Sequence, residues 1–204
     1  MHKTAKGLTV LSQPEYSIFR GPKTSSCITY KHGWHLALLV KLSLDLDVIS
    51  ISVNDKTLSK EAPETLSLSV KRRSQVVPLD VIGIHDDQVV ELEGAHNQEV
   101  YRRSEILDDP NKSNSLEVWA KRSHHTDLAL RMRILTELHS SFEQMTFEAI
   151  RSKLNIDITR LVTALSLMRI EGLIDFDLSR PIHTIPDLKL VQNLDRALDV
   201  VPLQ

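Results

Sequence analysis

The hydrophobic period of this chain changes between its two halves. Over residues 34–41, Trp34, Leu36, Ala37, Leu38, Leu39 and Val40 crowd too densely for a surface helix. They predict a helix buried on more than one face that ends near Asp45. Val48, Ile51 and Val53, mixed with Ser50 and Ser52, read as a short extended stretch. Leu66, Leu68 and Val70 then alternate with Ser67 and Ser69, the period of a half-buried strand. A polar turn over 71–74 leads to a strand over 75–84. The turn His85-Asp86-Asp87 leads back as Val89-Val90-Glu91-Leu92-Glu93, so a meander of three strands follows the first helix. Residues 1–27 show no period and read as an irregular arm. Residues 108–115, polar and carrying Pro110, read as a linker that closes a domain over 28–115.

Beyond a connector over 116–126 the period becomes 3.6. Leu130, Ile134 and Leu138 predict a helix over about 127–139. Phe147, Ile150 and Leu154 predict a second, with Thr146 as its N-cap. A third opens after Asp157, with Ile158, Leu161, Leu165 and Met168 turned inward and Gly172 just past its end. Residues 173–178 alternate like a strand, 179–181 turn, and 182–185 return. Three short helices and a terminal hairpin make a winged helix-turn-helix over 127–190, and 191–204 is left as a tail.

Composition narrows what such a chain can do. At 204 residues with 41% hydrophobic content there is material for a sizeable core, and no apolar run reaches the roughly 18 residues of a membrane span. The single Cys27 excludes an internal disulfide and suits a reducing compartment, the cytoplasm. A formal net charge of −2 supplies no global field for nucleic acid, so DNA contact requires a local patch. The third helix offers one: Thr159, Arg160, Thr163, Ser166 and Arg169 are expected to face outward for a major groove, with Arg151 and Lys153 near phosphate. The charge of residues 127–204, nine Lys and Arg against eleven Asp and Glu, and the acids Asp175 and Asp177 in the wing keep protein docking open as the other use of this module.

Phosphate-loop and nucleophile-elbow signatures are absent, and the chain has six glycines. Nine histidines with one cysteine show no zinc-ligand spacing and read as solvated; His32 and His35 can share a helix face without specifying a site. Asp80 and Glu91, on adjacent strands, form the arrangement with a mechanistic shape. They either hold a divalent cation such as Mg²⁺ through carboxylate oxygens or lie on a solvated face.

In order along the chain come a helix ending in Leu44-Asp45-Leu46-Asp47-Val48, then Asn54-Asp55-Lys56-Thr57-Leu58, Pro78-Leu79-Asp80-Val81-Ile82 and Val89-Val90-Glu91-Leu92-Glu93. Residues 175–182, DFDLSRPI, close a C-terminal winged helix. This order resembles the TnsA endonuclease subunit of heteromeric transposases over about residues 28–190. The resemblance implies an α/β chain of the α+β kind: a restriction-endonuclease-like mixed sheet flanked by helices, then the winged helix. It implies Mg²⁺-dependent DNA cleavage with Asp80 and Glu91 as metal ligands and catalytic carboxylates. Its partners would be DNA, a DDE-type transposase subunit and an AAA+ ATPase regulator. His35 stands where the family's helix has Glu, Glu93 stands where its last strand has Lys, and Leu79 separates Pro78 from Asp80. A carboxylate in place of that Lys opposes the charge that develops on phosphate, which implies impaired or absent cleavage. The alternative is a non-enzymatic winged-helix DNA-binding regulator with an N-terminal oligomerisation or sensing domain.

Overall fold

The computed structural model describes residues 16–54, 65–85, 98–141 and 145–191. Together they make an α+β protein with one hydrophobic cluster running from Phe19 to Leu188. The N-terminal residues are not an irregular arm where described. Strand β1, Ser17–Phe19, pairs antiparallel with β2, Ile28–Tyr30, and both Phe19 and Ile28 are buried. Three-residue strands are too short to display a period, which is why the alternation does not register in the sequence.

Helix α1, Gly33–Leu44, matches its sequence expectation in extent, and it buries residues on all sides, from Trp34 to Leu44, with Asp45 as its C-cap. It lies on a four-stranded sheet of order β3-β4-β5-β6. These are Val48–Val53, Leu66–Arg72, Leu79–Ile84 and Gln98–Arg102. The first three form an antiparallel meander in which Ile51 faces Val70 and Leu68 faces Val81. The apolar side of that register is the side α1 covers. A Cβ on Gly83 would sit 2.8 Å from Leu38 Cδ2 and 3.0 Å from Trp34 Cζ3, so the absence of a side chain there lets helix and sheet approach.

Strand β6 corrects the sequence expectation. Over Asp80–Ile84 one edge of β5 pairs with β4 and the other with β6, in parallel register from Asp80 opposite Gln98 to Ile84 opposite Arg102. The described neighbour of β5 on that edge is therefore residues 98–102, where the sequence pattern predicts a return over 89–93. The latter, with Glu91 and Glu93, lie outside the described residues.

A short helix α2, Arg103–Ile106, follows. The segment read as linker and connector is instead helix α3, Asn111–Ala120, which packs against α1 and against the helix over Ile158–Ile170. Its Val118 and Trp119 are buried, and Trp119 stacks on Phe19 with ring centroids 5.1 Å apart. Buried Asn114 donates to the Leu178 carbonyl at 2.8 Å, while Asp109 accepts from Lys112 and Ser113 within the segment, so the polar residues that suggested a linker serve the helix and its packing.

The helices of the C-terminal part appear as expected. Helix α4, Leu128–Ser140, is capped by Asp127, which accepts from the Ala129 amide, and buries Leu130, Ile134 and Leu138. Helix α5, Phe147–Leu154, is capped by Thr146, and α6, Ile158–Ile170, by Asp157. Gly172, at φ +74°, takes the left-handed position after α6. The terminal strand pair is smaller than the alternation suggested. Strand β7, Ile174–Asp175, pairs with β8, Lys189–Leu190, and residues 182–184 form a 3₁₀ turn in place of a returning strand. That turn buries Ile182, and the following Ile185 is buried as well, so the apolar residues there serve packing rather than a ladder. Met145 bridges Leu188, adding a third extended segment behind the helices.

Candidate functional site

Helix α6 divides into two parts. From Ala164 onward its sequence is apolar on nearly every side, and residues Ala164–Ile170 are buried among α1, α3, α4 and the 3₁₀ turn. Ser166 and Arg169, expected outward, are therefore inward, at 0% and 8% exposure. Ile158, expected inward, is 42% exposed. The first turns remain accessible: Thr159 and Arg160 are exposed, and Thr163 is half-buried with its hydroxyl donating to the Thr159 carbonyl at 2.9 Å. Arg160 makes no ion pair among the described residues.

These residues line a groove of about 390 Å³ completed by His124, His125 and Thr126. Asp127 and Asp157, the N-caps of α4 and α6, stand at its wall. Asp157 accepts from the Thr159 and Arg160 amides at 2.9 and 3.1 Å. The positive ends of two helix dipoles thus meet at the groove, each already answered by a carboxylate, and the exposed Arg160, without an ion pair among the described residues, can meet an external anion. On α5, Arg151 pairs with Glu148 at 3.1 Å and Lys153 with Glu137 across to α4 at 3.3 Å. All four are accessible, and exposed pairs of this kind contribute roughly 0–1 kcal/mol. Either cation can turn to a phosphate at small cost.

Arg169 is a structural cation. Its guanidinium lies 2.7 Å from Asp175 and over the Phe176 ring at 5.7 Å. Burial pulls its pKa below the ordinary value, against the attraction of Asp175 and Asp45. Removing its partner should cost more than removing Arg169 itself, because an uncompensated buried cation is worse than an apolar side chain of similar length. Asp175→Ala is expected to lower stability by about 1–3 kcal/mol, with solvent screening at the half-exposed carboxylate already discounted. Arg169→Met is expected to cost less. Chemical denaturation of both variants checks the order, and the reverse order would show that the ion pair, not the buried charge, dominates.

The carboxylate positions fare differently. Asp80 lies on β5 between Leu79 and Val81, whose side chains face α1, so strand alternation turns Asp80 to the opposite face with Ser69 and Gln98 as its cross-strand neighbours. Its Oδ1 accepts from Asn54 Nδ2 at 2.9 Å. His35 is buried in α1, on the other side of the sheet, and packs edge-on against Trp34. His35 and Asp80 cannot share a cation, and a glutamate at position 35 would be buried away from Asp80. Mg²⁺ requires octahedral oxygen ligands, usually with one or two carboxylates. Among the described residues no group of three or more His, Cys, Asp or Glu side chains converges on a metal position. Asp80 has an amide donor beside it, and the second expected ligand, Glu91, lies outside the described residues.

The sequence analysis missed a charged cluster where α1, the sheet and α6 meet. Arg72, on β4, reaches Asp45 at 2.5 Å and Glu99 at 2.8 Å, and Tyr101 donates to Glu99 at 2.6 Å. Burial opposes the Arg72 charge, but the hydrogen bonds it donates to Asp45 and Glu99 outweigh it and hold its pKa above the ordinary range. Lys23 donates to the Asp45 carbonyl, and burial, reinforced by Arg169, Arg73 and Arg72 against the opposing pull of Asp45, lowers its pKa to about 8. These residues are dispersed over 23–169, and no spacing signals them in advance.

No family model matches the chain, and no curated protein matches it in sequence. Among the described residues no helix is long and apolar enough to cross a membrane.

Proposed function

We propose that this chain is a TnsA-like DNA transposition subunit that binds DNA ends and partner proteins without cutting DNA. Its winged-helix module is the DNA-contacting part. The observation that carries this reading is the accessible N-terminal part of α6, where Thr159 and Arg160 stand exposed over a groove on a helix-turn-helix backed by a small antiparallel ladder. The mixed sheet with α1 on one face supports a restriction-endonuclease-like N-terminal part. The isolation of Asp80 from His35 supports the loss of cleavage. The DNA-contacting residues are Arg160 and Thr163 in the groove and Arg151 and Lys153 beside it, while Arg169 holds the fold. The partners are a DDE-type transposase subunit and an AAA+ ATPase regulator, and the protein works in the cytoplasm.

The full chain, given Mg²⁺, end-containing duplex and a DDE-type transposase subunit, is expected to leave its own strand uncut. Asp80→Ala is expected to change neither binding nor assembly. Metal-dependent nicking by the wild type that Asp80→Ala abolishes would contradict the non-cutting reading. A chain that binds DNA but co-purifies with neither a transposase nor an ATPase would be a winged-helix regulator instead.

A further inference from the structure

We propose that the turn between β4 and β5 is a second DNA-contacting element, an apolar tip on a basic stem that enters the minor groove of a duplex. The proposal rests on the reading that the protein acts on DNA, and it concerns a different part of the chain from α6. Val76 is 98% exposed and Val77 59% exposed, side by side at the tip. Single apolar side chains on a surface are ordinary. Two adjacent branched ones at a turn, where Gly, Asn, Asp or Ser serve the backbone better, have no folding reason to be there.

The charge around the tip is one-sided. From Leu66 to Leu79 the chain carries Lys71, Arg72 and Arg73 and no acidic residue. Lys71 and Arg73 are exposed and make no ion pair among the described residues. Arg72 is turned inward and anchors the stem on Asp45 and Glu99. The other side of the stem is fixed to Asp47: its carbonyl accepts from the Arg73 amide at 2.8 Å, and its carboxylate accepts from the Ser74 amide at 3.1 Å and the Ser74 hydroxyl at 2.6 Å. Arg72, 3.9 Å from that carboxylate, answers its charge. A rigidly rooted ribbon thus presents two cations and an apolar wedge.

Duplex DNA fits this chemistry. Cations on a ribbon can meet the phosphates that border a minor groove while apolar side chains press on sugars and base edges, and such wedges part a base step and bend the duplex. An apolar protein surface would satisfy the valines but not the cations. The root of the turn also lies close to α6. Arg72 pairs with Asp45, and the same carboxylate acts on Arg169. Arg160 is nine residues from Arg169, roughly 13 Å along the helix.

The test uses the full chain and a labelled duplex, with anisotropy for affinity and end-to-end energy transfer for bending. Lys71→Gln with Arg73→Gln is expected to weaken binding on the order of tenfold and to reduce the slope of log affinity against log salt by about two. Val76→Ser with Val77→Ser is expected to leave the salt slope unchanged, weaken binding less and reduce the bend. All four positions are exposed, so the variants keep the fold, which circular dichroism checks. An unchanged affinity and slope in the charge variant, with Arg160→Ala still weakening binding, overturns the turn alone. A wild type without salt-sensitive binding overturns both this proposal and the functional reading. A valine variant that loses a co-purifying protein but keeps DNA affinity and bending shows protein docking and overturns the proposal.

Discussion

Replacing Trp119 with alanine is expected to lower stability by about 3–5 kcal/mol, the cost of a large aromatic removed from a packed core. The ring is 4% exposed and stacks on Phe19, with an interplanar angle of 15°. It also closes over Gly21, where a Cβ would lie 3.0 Å from Cη2, and it sits under the Arg122 guanidinium at 5.4 Å. Trp119 therefore ties the N-terminal hairpin to α3, and α3 in turn packs on both α1 and α6. Urea denaturation should show the midpoint falling at unchanged slope, because a single cooperative unit is weakened rather than split. A loss below about 1 kcal/mol, in the range of an ordinary surface substitution, would show that 111–120 is a loose connector after all.

Gly83→Val is expected to cost about 3 kcal/mol, at the upper end of what overpacking does. The new Cβ would meet Leu38 and Trp34 within 3.0 Å, and Leu38 has no exposed surface into which it can retreat. α1 would have to lift from the sheet. Gly83→Ala is expected to cost less but to share the direction, and thermal unfolding of the pair measures both. Equal stability of wild type and Gly83→Val would mean that α1 does not lie on this face.

The elements legible in the sequence are those whose signals are local. Thr146 and Asp157 announce α5 and α6, Gly172 ends α6, and Leu66, Leu68 and Val70 alternate over a half-buried strand. What escaped depends on partners far away in the chain. Asn114 looks like linker chemistry until the Leu178 carbonyl accepts its amide. Arg169 looks like a groove-facing cation until Asp175 and Phe176 receive it. Strand β6 is half-buried without alternation from Gln98 to Tyr101, with Arg102 exposed, so the more regular run at 89–93 drew the strand assignment. The candidate site was legible in its first half for the same reason: Thr159 and Arg160 follow a cap whose position is local. The placement of His35 and Asp80 on opposite sides of the sheet is a matter of packing, and no spacing in the sequence records it.

The central claim, that the accessible start of α6 is where this protein meets DNA, is tested most directly by salt-titrated anisotropy on the full chain and its Arg160→Ala variant. The wild type should bind duplex with an affinity that falls steeply as salt rises. Arg160→Ala should bind more weakly with a salt slope smaller by about one. Superimposable titrations of the two proteins, or wild-type binding indifferent to salt, would contradict the account.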